Sequence, residues 1–129
     1  TDILLAKYDS AGAKQWMTLL ATSMDDGGWS AAVDERDAVL IAGGTEGTLG
    51  TNRNGGSVDG VLAKYDGNGS QRWIRQYGNK GYEFFTTVLT GASGEIWVLG
   101  ATSTEVEGQR PAGDADTFII RYNTEGDRL

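Results

Sequence analysis

The chain has 129 residues, a net charge of −7 and neither His nor Cys. Its acidity argues against a nucleic-acid partner, because phosphate binding depends largely on Lys and Arg. The lack of His excludes Ser–His–Asp and Cys–His catalysis and the common His metal sites, and no apolar run is long enough to span a bilayer.

Nine segments of strand length follow one another, separated by residues that favour turns. Two of them, AVLIAG and EIWVLG, are continuously apolar, which is typical of a strand covered on both faces. The turns DSAG, DGNG and NTEG begin with Asp or Asn and end with Gly, the pattern of type I turns that close hairpins. In chain order, the predicted strands are 2–9, 13–20, 29–34, 38–45, 59–66, 70–77, 84–90, 95–102 and 116–123.

The sequence also repeats itself. LLAKYDSAGAKQW begins at Leu4, VLAKYDGNGSQRW at Val61 and FIIRYNTEGDRL at Phe118, so the interval between copies is constant, and we call it one repeat length. In the middle of the unit, the best alignment takes a one-residue slip that places residues 29–33 over residues 85–89. Repeats of this length indicate solenoids, propellers or arrays. We assign the repeats to approximately 2–58, 59–115 and 116–129, the last of them truncated.

Four antiparallel strands per unit, in sheets that need cover from neighbouring units, predict a β-propeller blade. The predicted fold class is therefore all-β, a propeller segment of about two four-stranded antiparallel blades plus one extra strand. Residues 1–129 would form part of one propeller domain, a window cut from a longer ring. A blade would run A (29–34), B (38–45), C (59–66) and D (70–77), with strands 29–34 and 84–90 innermost.

The motif DxxLAKYDxxGxxxW, followed by QYG, an apolar strand, a turn and IWVLGAT, resembles the bacterial seven-bladed β-propeller repeat family known as SBBP. The resemblance covers essentially the whole chain. It implies a large bacterial protein that is secreted, periplasmic or on the cell surface, in an adhesive or structural context, and it brings no catalytic residues. The first unit departs from the motif at LLATSMDDGG and at DERD, both of which lie in predicted loops or turns.

Loops alternate between the two ends of antiparallel strands, and the long ones all fall at one end. Binding residues gather on loops held by rigid elements, so we predict the ligand-binding face there. Trp29 and Tyr82 are the better ligand candidates, because they do not recur as a residue type between units. The full candidate set is Asp25, Asp26, Trp29, Asn52, Arg53, Tyr82, Glu105, Glu107 and Arg110.

Carboxylate pairs in this set leave other chemistry open. Asp25 with Asp26, or Glu105 with Glu107, could serve as glycosidase acids or bind Ca²⁺ through oxygen ligands. A solvated-loop role is the simpler interpretation of both pairs. The recurring aromatic residues are expected to pack between blades; they are Trp16, Trp73, Tyr8, Tyr65 and Tyr122.

The favoured function from the sequence is non-enzymatic: a structural, adhesive or partner-binding module that needs no cofactor. Its partner would be other protein, either the remaining blades of the same propeller or neighbouring subunits. Two alternatives stay open. One is a propeller that binds or cleaves carbohydrate, with a glycan as ligand, and the other is a surface protein stabilised by Ca²⁺.

Overall fold

The computed structural model describes residues 1–51 and 53–129, and within these ranges its regular secondary structure consists of β-strands. The all-β prediction is therefore confirmed, and no described helix is long and apolar enough to cross a membrane. Each predicted segment corresponds to one strand, although β3 begins three residues and β7 one residue earlier than expected. The strands are β1 (Ile3–Tyr8), β2 (Lys14–Leu20), β3 (Asp26–Val33), β4 (Val39–Thr45), β5 (Asp59–Tyr65), β6 (Gln71–Tyr77), β7 (Glu83–Thr90), β8 (Ile96–Thr102) and β9 (Asp116–Tyr122).

The nine strands form three antiparallel sheets, ordered β1-β2, β3-β4-β5-β6 and β7-β8-β9. We call them the first, central and third sheets. The central sheet follows the predicted order A to D, the first sheet matches a C–D pair and the third matches strands A to C. β3 and β7 each lie at an edge of their sheet, and none of the described sheets closes on itself.

The central sheet is covered on both faces, so every residue of β4 and β5 is buried. On one face it packs against the first sheet, through a core that includes Ile3, Leu5, Leu20, Ile41, Val61 and Tyr65. On the other it packs against the third sheet, through a core that includes Leu40, Leu62, Phe85, Val88, Val98 and Ile120. The continuous apolar run in β4 reflects this double cover. β8 alternates between buried and more exposed residues instead, because the described chain covers only one of its faces.

The expected one-residue slip in the repeat is wrong. β3 carries a bulge at Trp29, between Gly28 and Ser30, and β7 carries one between Phe85 and Thr87. Trp29 therefore corresponds to Thr86, and the spacing stays at one repeat length through the strand. A bulge adds one unpaired residue without changing the pairing on either side. The sequence alignment slipped because it matched two aromatic residues that occupy different places around this bulge.

Consecutive sheets are joined by the same hydrogen bond at both interfaces. The indole Nε1 of Trp16 in the first sheet donates to the carbonyl of Gly67 at 2.9 Å, in the β5–β6 turn of the central sheet. The indole Nε1 of Trp73 in the central sheet donates to the carbonyl of Thr124 at 3.1 Å, in the turn after β9. The two acceptors are one repeat length apart, so each unit binds the turn of the next unit in the same way.

The glycine of each turn provides the space for that indole. A Cβ atom on Gly69 would lie 2.8 Å from the ring of Trp16, and one on Gly126 would lie 2.9 Å from the ring of Trp73. Both glycines also have positive φ, at 86° and 80°. Gly12, at φ 81°, has the same backbone conformation but nothing within 4 Å of its Cβ position. The Gly and Trp of the repeated motif are thus packing partners across units.

Candidate functional site

The long loops lie together at one end of the strands. They connect β2 to β3, β4 to β5, β6 to β7 and β8 to β9, and hydrogen bonds tie neighbouring loops to each other, such as Ser57 N to the carbonyl of Gly81 at 2.8 Å. Of the predicted candidates in the β4–β5 loop, Arg53 is exposed and Asn52 lies outside the described residues. The loops at this end of the molecule therefore form one continuous surface.

Buried carboxylates anchor these loops. Asp26 and Glu83 begin β3 and β7, are almost fully buried, and occupy equivalent positions. Each accepts hydrogen bonds from the backbone N–H four residues earlier and from a Thr hydroxyl at the end of the adjacent strand. The bonds are Thr22 N to Asp26 Oδ2 (2.5 Å), Thr45 Oγ1 to Asp26 Oδ1, Asn79 N to Glu83 Oε2 (2.6 Å) and Thr102 Oγ1 to Glu83 Oε1 (2.8 Å).

A third buried carboxylate, Asp59, organises the β4–β5 loop. It accepts a hydrogen bond from Gly55 N at 2.9 Å and one from Gln76 Nε2 at 2.8 Å. Gln76 Oε1 in turn accepts a hydrogen bond from Leu49 N at 2.8 Å. The sequence analysis did not single out Asp59 or Gln76 as site residues. The signal in the sequence was an Asp at the start of a predicted strand, three residues after the glycine pair Gly55–Gly56.

The members of each predicted carboxylate pair make separate polar contacts, although Asp25 and Asp26 line one cavity together. Asp26 is the buried anchor described above, whereas Asp25 is exposed and binds the amino group of Thr1 at 2.6 Å. Glu105 lies 3.5 Å from Arg110, and Glu107 lies 2.7 Å from Arg128. Within the described residues, no group of three or more Asp and Glu side chains is placed to hold a metal ion.

The structure brings the two favoured aromatic candidates together in one row. The rings of Trp29 and Phe84 have centroids 5.6 Å apart, and those of Phe84 and Tyr82 have centroids 5.9 Å apart with nearly parallel planes. The Tyr82 hydroxyl donates to the carbonyl of Asp114 at 3.3 Å. We call these three residues the aromatic row; it crosses from the edge of the central sheet to the edge of the third sheet.

The bulge in β3 gives the row its exposed end, because it leaves Trp29 55% exposed. The indole lies over Gly27 and Gly44, and a Cβ atom on either would come within 2.9 Å of the ring. Beside it is an open cavity of about 320 Å³, whose lining includes Val58 and Glu46. The aromatic ring can stack on a flat apolar face of a ligand, while the neighbouring carboxylate and backbone oxygens accept hydrogen bonds from the polar edge of that ligand.

Phe84 is the member of the row that sequence reasoning missed. It has no aromatic counterpart one unit earlier, where Gly27 stands, so the repeat does not mark it. The feature of the sequence that could have indicated its exposure is its position next to Phe85 in a predicted strand. Since successive side chains in a strand point to opposite faces, a buried Phe85 directs Phe84 away from the core.

At the opposite end of the strands, a buried ion pair joins the turns. Lys64 Nζ lies 2.9 Å from Asp34 Oδ2 and donates to Thr124 Oγ1 at 2.9 Å, in the turn after β9. Burial raises the pKa of Asp34, but hydrogen bonds from Lys64 and from the backbone N–H groups of Ala38 and Arg36 outweigh it and hold that pKa below its ordinary value of 3.8. This charge pair contacts a neighbouring sheet and is part of the packing.

Fold and site together define an all-β protein of stacked, similarly built sheets with a row of three aromatic residues, of which Trp29 is exposed. No family model matches the chain. Among curated proteins, the regulatory protein FlaEY of Caulobacter vibrioides is similar to it, with 27% identity over 137 aligned positions. The alignment covers 98% of this chain and 14% of FlaEY, so the chain spans about one seventh of that relative's length.

Proposed function

We propose that the chain is a segment of a bacterial β-propeller and serves as a non-enzymatic structural, adhesive or partner-binding module. The observation that carries the proposal is the recurring indole-to-turn hydrogen bond, from Trp16 to Gly67 and from Trp73 to Thr124. Identical joints between successive sheets give a constant step from one sheet to the next. A constant step is what a ring of blades requires.

The partner in this proposal is protein. The central sheet is packed against protein on both faces, whereas the first and third sheets each have one exposed apolar face. The name of FlaEY, a regulatory protein, is compatible with a role in protein interaction. Membership of the SBBP type, and a place in the periplasm, outside the cell or on its surface, belong to the proposal through the motif resemblance.

A non-enzymatic role agrees with how the candidate carboxylates are used. Asp26 anchors a loop and Asp25 binds the amino group of Thr1, while Glu105 and Glu107 contact separate arginines. General acid–base work at a glycosidic bond needs two carboxyl groups on either side of a substrate. The structural contacts of the four candidate carboxylates support the non-enzymatic proposal.

Lengthening the chain would test the propeller. Because residue 129 corresponds to residue 72, further copies of residues 73–129 can be appended in phase after Leu129, each adding one unit. In a propeller, the radius of gyration measured by X-ray scattering should stop rising at one particular length, and thermal unfolding should sharpen there as the ring closes. A steady rise with every added unit would show an open solenoid and contradict the proposal.

Carbohydrate binding is a second candidate function, and the aromatic row favours it. Exposed Trp and Tyr rings can stack on the apolar face of a sugar, while neighbouring carboxylate and carbonyl oxygens accept bonds from its hydroxyls. A glycan array should then give a ligand whose affinity falls at least about tenfold in Trp29→Ala. Tyr8→Ala, which removes an equally exposed ring from another surface, is the matched control. Binding that survives Trp29→Ala would contradict this function.

A further inference from the structure

The turn between β5 and β6 contains an Asn–Gly pair, Asn68–Gly69. In such a pair the backbone nitrogen of the glycine can attack the side-chain carbonyl carbon of the asparagine, because glycine has no side chain to shield that nitrogen. A second pair, Asn54–Gly55, lies in the β4–β5 loop. The chain therefore presents the same pair of reacting groups in two different surroundings.

The surroundings of Asn54 oppose this reaction. The residue is half-buried, and its Oδ1 accepts a hydrogen bond from Gly56 N at 2.8 Å, which holds the side-chain amide in place. The nitrogen that would attack, Gly55 N, donates to the buried carboxylate of Asp59 at 2.9 Å. Both reacting groups are thus engaged by the hydrogen bonds that organise the loop.

Asn68 is exposed, and its side-chain amide forms no hydrogen bond with the residues that the structure describes. The attacking nitrogen, Gly69 N, donates to the carbonyl of Asp66 at 2.9 Å, so opening this turn bond frees it. The equivalent positions in the other two turns, Ala11 and Glu125, are exposed as well. Exposure at this place in the turn therefore does not depend on which neighbouring sheet is present.

We propose that Asn68 is a site of spontaneous deamidation, and that the modification weakens the joint between the first and central sheets. Gly69 N loses its proton and attacks Cγ of Asn68; the new N–C bond forms, the amide C–N bond breaks and ammonia leaves, which gives a cyclic succinimide. Water, the co-reactant, then adds to either ring carbonyl and opens the ring. Opening on one side gives aspartate, and opening on the other gives isoaspartate, in which the main chain runs through the former side chain.

Isoaspartate lengthens the main chain by one methylene group between residues 68 and 69. The residues on either side of Asn68 both contact Trp16: the carbonyl of Gly67 accepts the indole N–H at 2.9 Å, and Gly69 lies against the ring. An inserted methylene group shifts these two contacts relative to each other, so the turn cannot keep both in place. Aspartate adds a charge at an exposed side chain without lengthening the main chain, so it should leave the joint nearly intact.

Peptide mapping by mass spectrometry, during incubation of the folded chain in mildly alkaline buffer, measures the reaction. Asn68 should lose its amide at least about tenfold faster than Asn54. In guanidinium chloride, where neither pair keeps its contacts, the two rates should become similar. Equal rates in the folded chain would overturn the inference, and so would a difference that persists after unfolding, because the fold would then not be its cause.

Urea unfolding measures the effect on the joint. The converted fraction of the aged chain carries an extra negative charge, so anion exchange separates it, and enzymatic methylation quantifies its isoaspartate. This fraction should unfold at a lower urea concentration than Asn68→Asp, which has the same charge without the extra methylene group. Asn68→Gln, incubated for the same time, should keep its original stability.

Three results would contradict the effect on the joint: a converted fraction as stable as Asn68→Asp, a converted fraction without isoaspartate, or an equal loss of stability in aged Asn68→Gln. The last result would assign the loss to another site. The inference goes beyond the proposed function, because it concerns one joint between two sheets and does not require that the sheets form a ring.

Discussion

Replacing Gly69 by Ala tests the idea that a glycine holds the indole of the preceding unit. Two costs combine at this position. The backbone has φ 86°, and the added Cβ would lie 2.8 Å from the ring of Trp16, a distance at which the ring or the turn must shift. Gly12→Ala isolates the first cost, because Gly12 has φ 81° and open space around its Cβ position.

The two substitutions should differ by the packing cost alone. An Ala in the left-handed region costs about 1–2 kcal/mol, which is the loss of unfolding free energy expected for Gly12→Ala. Forcing an extra carbon into a packed contact costs about 1–3 kcal/mol more. For Gly69→Ala we therefore expect a total loss of about 2–5 kcal/mol, and the hydrogen bond from Trp16 to the adjacent Gly67 should weaken with it.

Urea unfolding, followed by circular dichroism and by Trp fluorescence, measures both losses under one set of conditions. Gly69→Ala should also alter the emission of Trp16, whose environment must change, whereas Gly12→Ala should leave the spectrum as it is. Equal losses of stability in the two variants would refute the reasoning, because the indole contact would then contribute nothing beyond the turn conformation.

Three further predictions concern the other joints of the stack. Trp73→Ala, at a half-buried residue that donates to Thr124, should cost about 2–3 kcal/mol in urea unfolding, somewhat less than a fully buried Trp; a loss below about 1 kcal/mol would place Trp73 outside the interface. Asp34→Asn should destabilise at neutral pH by leaving Lys64 buried without its counter-charge. The folded pKa of Asp34 lies below its ordinary value of 3.8, so ionised Asp34 stabilises the fold above pH 3.8 and this stabilisation is lost as the pH falls through the folded pKa. The difference in unfolding free energy between Asp34→Asn and the unaltered chain should therefore become smaller in acid. A difference that does not change with pH would contradict this. Glu83→Ala should cost about 3 kcal/mol through lost charged hydrogen bonds, and hydrogen exchange at the loop amides should rise with it; unchanged exchange would remove Glu83 from the role of loop anchor.

The strands were predictable because local chemistry determines them, and the internal repeat then indicated how they are grouped. Turns such as residues 66–69 carry an Asp that caps and a Gly that accepts positive φ, and the structure shows both: Asp66 Oδ1 accepts from Asn68 N and Ser70 N, and Gly69 has φ 86°. Alternation and continuous apolar runs then assign the strands between turns. These local signals and the repeat together were sufficient to predict antiparallel β-sheets.

What the sequence could not supply depends on contacts between distant residues. The bulge at Trp29 is invisible in a linear alignment, and Asp26 resembles an exposed loop residue until the hydroxyl of Thr45 is placed beside it. Trp29 and Tyr82 were chosen separately, and only the pairing of the sheets shows that Phe84 joins them. The sequence also did not show that only one face of β8 is covered, because its apolar run is compatible with a neighbouring sheet on either face.

The packing of each indole on a glycine of the next repeat also determines which changes in the number of repeats the fold can tolerate. Trp16 packs on Gly69 and Trp73 packs on Gly126, so every partnership joins one coding repeat to the next. Deleting the codons from position 17 to position 73 would set Trp16 against Gly126, a partner of the same kind in the same place. Unequal crossing-over in register would thus add or remove whole repeats without requiring a compensating substitution, whereas an exchange out of register would separate each tryptophan from its glycine.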